Sequence, residues 1–221
     1  MSKKGGTNHL NRLAAGKYPQ VSRKFSKYIA VQNPGRHTAA MSLPIGVLLR
    51  DKLGTARTMF EVRKILKDGL VLVNGREVRD AHYPVGFGDV VSLGEDKTRY
   101  VIGISRNGTV AIGGGSRQVF KVVGKYLARG KTQMIRLHDG TNMRFLEEVN
   151  VNDSVDLSDG KVKVIKLKEG AGCVVINGVH SSGEGTVKEI RKGNAQRDAL
   201  VQINTKDGKV IETLLDNIMV I

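Results

Sequence analysis

Asn-Gly and Asp-Gly dipeptides recur along the sequence and constrain its fold more than any other feature. Such dipeptides favour the positive backbone dihedrals of hairpin turns, because Gly lacks a Cβ atom and Asn and Asp tolerate the left-handed region. Short segments with alternating apolar residues flank them, and 27 of the 221 residues are Gly. This pattern predicts a succession of small β modules rather than one large core. The dipeptides include Asn74-Gly75, Asn107-Gly108, Asp139-Gly140, Asp159-Gly160 and Asp207-Gly208.

One region departs from the β pattern, because its apolar residues repeat at helical spacing. Ser42 is predicted to cap a first short helix that ends at Gly54. Thr58 and Glu61 have the Thr-x-x-Glu spacing of a capping box and predict a second helix, which ends at Gly69. The apolar face of the second helix comprises Val62, Ile65 and Leu66. Its opposite face carries Arg63, Lys64 and Lys67.

The charge balance predicts a polyanionic partner. Lys and Arg total 36 against 21 Asp and Glu, which gives a formal net charge of +15 and a pI near 10.0. RNA or DNA is the commonest polyanion that relieves such an excess. An anionic membrane is the alternative, but the sequence has neither an apolar run long enough to span a bilayer nor a basic amphipathic helix with a bulky aromatic face.

Positive charge is concentrated at the N-terminus, where no acidic residue occurs before Asp51. Gly and Pro are also frequent there, and such a composition buries little apolar surface on its own. Residues 1–40 are therefore interpreted as a basic arm that becomes ordered on a partner, with a functionless solvated tail as the alternative. The basic residues of this segment are Lys3, Lys4, Arg12, Lys17, Arg23, Lys24, Lys27 and Arg36.

The sequence contains no recognisable catalytic, metal or cofactor motif. None of its His residues has the spacing to a Cys or a second His that a zinc site requires. The single Cys, Cys173, lies beside an apolar run and is predicted to be a buried small residue rather than a nucleophile. Phosphate-loop, nucleophile-elbow and dinucleotide fingerprints do not occur. We therefore predict no enzymatic activity, no metal, no cofactor and no small-molecule substrate.

The segment from Gly69 to Asp80, followed by Tyr83-Pro84-Val85 and by Gly88 to Val91, resembles the signature of the alpha-L or S4-like RNA-binding domain. The resemblance covers residues 41–93. It implies a helical hairpin packed on a short β-hairpin, with basic helical residues that grip RNA phosphates. A compact cluster of cations also suits an irregular phosphate surface on physical grounds. The basic residues concerned are Arg50, Lys52, Arg57, Arg63, Lys64 and Lys67.

Near the C-terminus, the segment from Ser182 to Val187 resembles a KOW motif, the glycine-centred strand pair of an SH3-like barrel. Gly185 would be the motif glycine and Val187 a core position. A polar loop follows between two strands, and loops of this kind often carry binding residues, although a merely flexible loop is the alternative. The basic residues of the loop are Arg191, Lys192 and Arg197.

The order of these features is similar to that of the archaeal and eukaryotic family of small-subunit ribosomal protein four. The stretch from Asn8 to Ala15 also resembles that family's opening, although Thr7-Asn8 replaces the usual basic pair before His9. The resemblance implies a cytoplasmic, structural constituent of the small ribosomal subunit. Such a protein binds small-subunit rRNA, contacts neighbouring ribosomal proteins and helps assembly, with His9 and Arg12 among the RNA contacts. An end at Ile221 favours an archaeal version.

Together these patterns predict an α+β, multi-module chain. Its parts are a basic N-terminal arm over 1–40, a small alpha-L domain over 41–95, a central β domain over 96–170 and a C-terminal SH3-like β-barrel with a KOW motif over 171–221. The turn positions expected to be structural are Asn74, Gly75, Gly88, Asp89 and Gly185.

Two other functions are compatible with parts of the pattern. Alpha-L modules are also appended to pseudouridine synthases, but the Gly-Arg-Leu-Asp catalytic stretch in which those RNA-modifying enzymes resemble one another is missing here. A transcription or translation factor that uses a KOW barrel for docking is the second alternative. Co-sedimentation with ribosomal subunits in high salt distinguishes a structural protein from such a factor.

Overall fold

The chain divides into two units, and both are built mostly from β-sheet. The computed structural model describes residues 9–16, 21–94, 98–105, 110–114, 118–144, 148–157, 162–205 and 208–221. The first unit comprises residues 1–103 and 109–116, and the second comprises residues 104–108 and 117–221. Two short helices lie in the described part of the first unit, so the architecture is multi-module α+β. The turns predicted at 107–108, 159–160 and 207–208 fall wholly or partly outside the described residues.

The strands of the first unit are short. They are β1 (His9–Asn11), β2 (Tyr28–Ala30), β3 (Ser42–Pro44), β4 (Val71–Val73), β5 (Arg76–Glu77), β6 (Pro84–Gly86), β7 (Val90–Leu93), β8 (Thr98–Ile104) and β9 (Val110–Gly114). Strand β1 pairs with β2, β3 pairs with β6, and the remaining strands form a sheet of order β5-β4-β7-β8-β9. The sheet therefore continues past the end predicted for the alpha-L domain at residue 95.

Two helices pack against these strands. Helix α1 (Ile45–Val47) runs directly into a π-helical turn at Leu48–Lys52, and helix α2 spans Met59–Lys67. Thr58 Oγ1 accepts a hydrogen bond from Glu61 N at 3.2 Å, and Glu61 Oε2 accepts one from Thr58 N at 3.4 Å. The capping box predicted at the start of α2 is therefore confirmed.

Ser42 does not cap the first helix, contrary to the prediction. It lies in β3, where it pairs with Gly86 of β6. Its hydroxyl donates to Thr38 O at 2.8 Å and accepts from Gln32 Nε2 at 3.0 Å. Pro44 stands immediately before the first helical residue, and its fixed φ suits helix entry without a side-chain cap.

Described residues from the first forty positions pack on the core of the first unit. Ile29 and Ala15 are 5% and 7% exposed and belong to the same apolar cluster as Leu43, Val62 and Val85. The average composition of a segment does not reveal its few isolated apolar residues. Such residues can be buried in the core formed by a neighbouring element. The interpretation of residues 1–40 as an arm that orders only on a partner therefore does not hold for residues 9–16 and 21–39.

The described part of the second unit contains two antiparallel sheets. Their strands are β10 (Val119–Ala128), β11 (Thr132–Leu137), β12 (Asn142–Arg144), β13 (Ser154–Asp156), β14 (Lys163–Ile165), β15 (Gly172–Val175), β16 (Glu184–Arg191), β17 (Leu200–Thr205), β18 (Val210–Leu214) and β19 (Ile218–Val220). One sheet has the order β12-β11-β10-β13-β14 and the other β18-β17-β16-β15-β19. Each sheet has its own apolar cluster, around Val122 in the first and Val201 in the second.

A buried lysine joins the two sheets of the second unit. Lys121 of β10 is 4% exposed, and its Nζ donates to the carbonyl oxygens of Leu215 and Asp216, each at 2.9 Å. Both acceptors lie in a 3-10 turn, Leu215–Asn217, that directly precedes β19. Burial lowers the pKa of Lys121 to about 8, against the opposing attraction of Asp216. The ammonium group thus fixes the start of β19 relative to β10.

Candidate nucleic-acid interface

Helix α2 presents a basic face to solvent. Val62 and Leu66 are 0% exposed and anchor the opposite face in the core. Arg63, Lys64 and Lys67 are all exposed, as their positions on a helix with this buried face require. Anchoring by Val62 and Leu66 fixes the helix backbone beneath these three cations, while Ile65 of the same face is half-buried. A fixed backbone keeps the three side chains near one another, which suits contact with neighbouring phosphates.

The cations at the end of the first helix are less available. Arg50 Nε donates to Asp51 Oδ1 at 2.6 Å and its Nη2 donates to Asp51 Oδ2 at 3.0 Å. This paired hydrogen bond raises the pKa of Arg50 and occupies one edge of its guanidinium group. Partial burial lowers the pKa of Lys52. Arg57, just before α2, is exposed. The predicted set therefore divides into exposed cations on and beside α2 and an internally paired Arg50.

The hairpin that follows α2 has a tight turn. Asn74 and Gly75 have φ angles of 49° and 77°, the positive values of a type I′ turn, and they connect β4 to β5. Asn74 Oδ1 also accepts a hydrogen bond from Val90 N at 2.8 Å. The second turn position, Gly88, has φ of 86°. Both turns thus adopt backbone conformations that favour Gly, Asn or Asp.

Asp89 is the centre of a buried hydrogen-bond network. The side chain is 1% exposed. Its carboxylate accepts from Asn74 Nδ2 at 2.7 Å and from Gly86 N at 2.9 Å. His37 Nε2 lies 2.8 Å from Asp89 Oδ2. A Cβ atom on Gly86 would lie 2.6 Å from the ring of His37, so Gly86 makes room for the imidazole. The sequence pattern did not indicate either His37 or Gly86 as a structural residue.

Arg12 is buried rather than presented to RNA. Only 1% of the residue is exposed. Its Nε donates to Ser26 Oγ at 2.8 Å and to Tyr28 O at 3.2 Å, and its Nη1 donates to Ser22 O at 2.8 Å. Its Nη2 donates to Asp51 Oδ2 at 3.4 Å. The expectation that Arg12 contacts phosphate is therefore revised: the guanidinium group holds the β1–β2 segment on the first unit.

This structural role predicts that Arg12→Ala destabilises the first unit. Loss of the charge-assisted hydrogen bonds should lower the free energy of unfolding by about 2 to 3 kcal/mol. Arg23→Ala is the matched control, because Arg23 is exposed in the same segment and should change stability by no more than about 0.5 kcal/mol. Chemical denaturation of both variants measures the difference. Equal stability of the two variants would contradict the revised role.

The other predicted residues of the first forty positions differ in exposure. His9, Arg23, Lys24 and Lys27 are exposed, and Arg36 is half-buried. Lys3, Lys4 and Lys17 lie outside the described residues. The structure thus places four predicted cations or potential cations on the surface of the β1–β2 segment.

The predicted KOW region lies in the sheet of β15 to β19. Gly185 is within strand β16, not in a turn as predicted, and it pairs with Cys173 and Thr205 on the two sides. A Cβ atom there would overlap the carbonyl oxygen of Asn204 and lie 2.7 Å from Ile203 Cγ2. The reason for glycine is therefore the close approach of β17 rather than a turn dihedral.

The basic residues after β16 are exposed. Arg191 Nε lies 3.3 Å from Glu189 Oε1, and Arg191 Nη1 lies 3.5 Å from Glu212 Oε1. These contacts raise the pKa of Arg191 and partly neutralise its charge. Lys192 and Arg197 are also exposed. The backbone of Arg197 forms an isolated β-bridge with that of Asn194, which leaves its side chain out of this contact. Lys192 and Arg197 are therefore the more available cations of this loop.

Other chemistry has little support in the described part of the chain. Cys173 is 1% exposed and burial raises the pKa of its thiol to about 11, which confirms a buried small residue and disfavours the nucleophilic thiolate. Within the described ranges, no group of three or more His, Cys, Asp or Glu side chains is arranged to hold a metal ion. No helix among the described residues is long and apolar enough to cross a membrane.

Comparison with known proteins assigns the family. The family model described as the S4 domain matches residues 47–91. A small ribosomal subunit protein eS4 from Methanocella arvoryzae is 34% identical to this chain, covering 97% of the chain and 94% of that protein. The eS4 protein of Desulfurococcus amylolyticus is 30% identical, covering 99% and 93% respectively.

A solved structure agrees with the sequence relatives. The crystal structure of the 30S ribosomal protein S4e from Thermoplasma acidophilum matches with a TM-score of 0.68 at 25% identity, covering 82% of this chain and 95% of that chain. The similarity to these ribosomal proteins extends through both units. The chain therefore belongs to the small ribosomal subunit protein eS4 family.

Proposed function

We propose that this protein is a structural constituent of the small ribosomal subunit that binds small-subunit rRNA and helps the subunit to assemble. The observation that carries the proposal is the exposed row of Arg63, Lys64 and Lys67 on a helix that the buried Val62 and Leu66 anchor in the core. This helix lies within the range matched by the S4 domain, residues 47–91. Rigidly held cations position an RNA backbone without reading its sequence.

The proposed contact set is narrower than the one predicted from the sequence. It omits Arg12, whose donors are used inside the protein, and it gives little weight to Arg50 and Arg191, which are paired with carboxylates. Arg36 and Lys52 are half-buried and also receive less weight, whereas exposure supports the other described members. They are His9, Arg23, Lys24, Lys27, Arg57, Arg63, Lys64, Lys67, Lys192 and Arg197.

The modular organisation is also part of the proposal. We keep the predicted order of an alpha-L domain from residue 41, a central β domain up to residue 170 and an SH3-like barrel with a KOW motif over 171–221, but we move the first boundary from residue 95 to residue 116, so that β8 and β9 stay with the sheet of the first unit. The two sheets of the second unit support the last two assignments, because one lies within residues 119–165 and the other within residues 172–220. Residues 9–16 and 21–39 are proposed to be an integral layer of the first unit with a basic outer surface.

The proposed setting is the cytoplasmic ribosome, with small-subunit rRNA and neighbouring ribosomal proteins as partners. A structural constituent should co-sediment with small subunits on sucrose gradients in high salt. A transcription or translation factor would dissociate under these conditions. This measurement therefore separates the proposed role from the factor that a KOW-like motif alone also allows.

Reversing the charge of the α2 face should weaken rRNA binding without unfolding the protein. We expect the triple variant Arg63→Glu, Lys64→Glu and Lys67→Glu to lose at least about tenfold in affinity for small-subunit rRNA near 150 mM salt. Lost counterion release and new repulsion both contribute to the loss. The melting temperature should stay close to that of the parent, because all three side chains are exposed.

A second triple variant controls for net charge. Arg129→Glu, Lys166→Glu and Lys168→Glu make the same change of charge at exposed positions of the second unit. None of these three positions belongs to the proposed contact set, so this variant should lose about threefold or less. Equal losses in the two variants would show that the α2 residues affect rRNA affinity only through the net charge of the protein. Parental affinity in the α2 variant would contradict the proposed site.

A further inference from the structure

Aromatic side chains are exposed in a strongly basic setting on the β1–β2 segment. Phe25 is 76% exposed and Tyr28 is 47% exposed. Arg23, Lys24 and Lys27 are exposed and adjoin Phe25 and Tyr28 in the sequence. Asp51 reaches this segment through Arg12 and is paired with both Arg12 and Arg50. Packing of the first unit does not account for a large ring left in solvent among cations, and exposed apolar surface with such a rim commonly marks a binding site.

Both rings are held in place by neighbouring side chains. Arg12 Cζ lies 5.5 Å from the centroid of the Phe25 ring, within cation–π distance. Arg12 is itself fixed by its internal hydrogen bonds. A buried arginine thus supports the ring of Phe25 while most of that ring stays exposed. Tyr28 packs against the His9 ring in a T-shaped arrangement, with centroids 4.6 Å apart, and Lys27 Nζ lies 5.2 Å from the centroid of the Tyr28 ring.

We infer that Phe25 and Tyr28 stack on unpaired bases of RNA while Arg23, Lys24 and Lys27 bind the adjoining phosphates. Unpaired bases offer flat faces that stack on aromatic side chains, whereas the bases of a duplex are stacked on one another. Charge complementarity between the cations and the phosphate backbone also favours RNA as the ligand of this surface. The inference rests on the proposed rRNA-binding function and adds that this surface takes a single-stranded segment.

A fluorescent reporter tests the stacking directly. The chain has no Trp, so Phe25→Trp in the full-length protein introduces a single Trp, which can be excited selectively over the five Tyr residues. The probes are a single-stranded oligoribonucleotide, the corresponding RNA duplex, polyphosphate and an acidic peptide. Single-stranded RNA should quench the Phe25→Trp fluorescence at least about twofold more than any other probe, because only an unpaired base can stack on the indole.

The reporter has a matched control, and two outcomes of the experiment would overturn base stacking. Val179 is 91% exposed in the second unit, so fluorescence of a Val179→Trp variant should respond equally weakly to all four probes. Equal quenching of the Phe25→Trp reporter by duplex or polyphosphate would overturn base stacking. A response confined to the acidic peptide would overturn it as well and would assign the surface to a protein partner.

Affinity and salt dependence separate stacking from charge. Phe25→Leu should weaken binding of the single-stranded probe about tenfold, while Phe25→Tyr should bind within about twofold of the parent. Stacking releases no counterions, so Phe25→Leu should leave the log–log salt slope unchanged. Lys24→Ala should instead lower that slope by about 0.7. Parental affinity of Phe25→Leu for the single-stranded probe would overturn the inference.

Failure of this inference is distinguishable from failure of the proposed function. If Phe25→Leu binds small-subunit rRNA like the parent while charge reversal of Arg63, Lys64 and Lys67 still weakens it, stacking is excluded and the proposed function stands. If neither change affects rRNA affinity, both the stacking inference and the α2 site fail. Melting curves of each variant confirm that the comparison is between folded proteins.

Discussion

Replacing Asp89 with Ala is expected to lower the free energy of unfolding of the first unit by about 3 to 5 kcal/mol. The buried carboxylate accepts hydrogen bonds from Asn74 and Gly86 and contacts His37. Ala would leave these polar groups buried without their acceptor, at a cost of about 1 to 3 kcal/mol for each unsatisfied group. Hydrogen exchange should therefore show that amides in α2 and β4 lose about a hundredfold or more in protection.

Asp68 provides the control for this substitution. It is exposed directly after α2, so Asp68→Ala should change stability by no more than about 0.5 kcal/mol. Amides of β16 and β17 belong to the other unit and should keep their protection in both variants. His37→Ala should cost less in the Asp89→Ala background than alone, because the two side chains share one network. Equal protection in the Asp89 and Asp68 variants would contradict the role assigned to the network.

Gly185→Ala is expected to destabilise the second unit by about 3 kcal/mol or more. A Cβ atom at this position would overlap the backbone of Asn204 in β17. Strand β17 would then have to move away from β16 in the middle of the sheet, because backbone atoms cannot rotate aside as a side-chain end can. Thermal or chemical unfolding measures the loss, and hydrogen exchange should place it in β16 and β17.

Gly124→Ala is the matched control in the same unit. Its nearest neighbour would be Arg136 Nη2 at 3.8 Å from the new Cβ atom, an ordinary contact. We expect a change of no more than about 0.5 kcal/mol, since no strained dihedral or close backbone approach is involved. Similar stabilities of the two alanine variants would show that β16 and β17 tolerate wider separation than their present geometry indicates.

The features that were predictable from the sequence are local ones. Thr58 and Glu61 are three positions apart, and their capping box is present because both partners lie in one helical turn. Asn74 and Gly75 are adjacent, and their φ angles follow from the preferences of the two residue types. The basic face of α2 follows from the helical period once its apolar face is known. Such features need no knowledge of the rest of the fold.

The features that were missed depend on contacts between distant parts of the chain. The Arg12–Asp51 contact spans 39 positions, the His37–Asp89 contact 52 and the Lys121–Leu215 contact 94. Nothing in the local pattern around Arg12 distinguishes it from Arg23, although one is buried and the other exposed. The role of a charged residue therefore depended on which partner the fold brought to it.

The pairing of β15 has a consequence for synthesis. Strand β15 lies between β16 and β19, and β19 is translated after every other strand of that sheet. While the chain is being made, the side of β15 that will receive β19 is an open edge, and open edges are templates for pairing with other chains. The contacts between β15 and β19 join residues that are far apart in the sequence, and such contacts form slowly during folding. Until residues 218–220 arrive, Gly172–Val175 therefore offers an unpaired edge that the finished sheet no longer has.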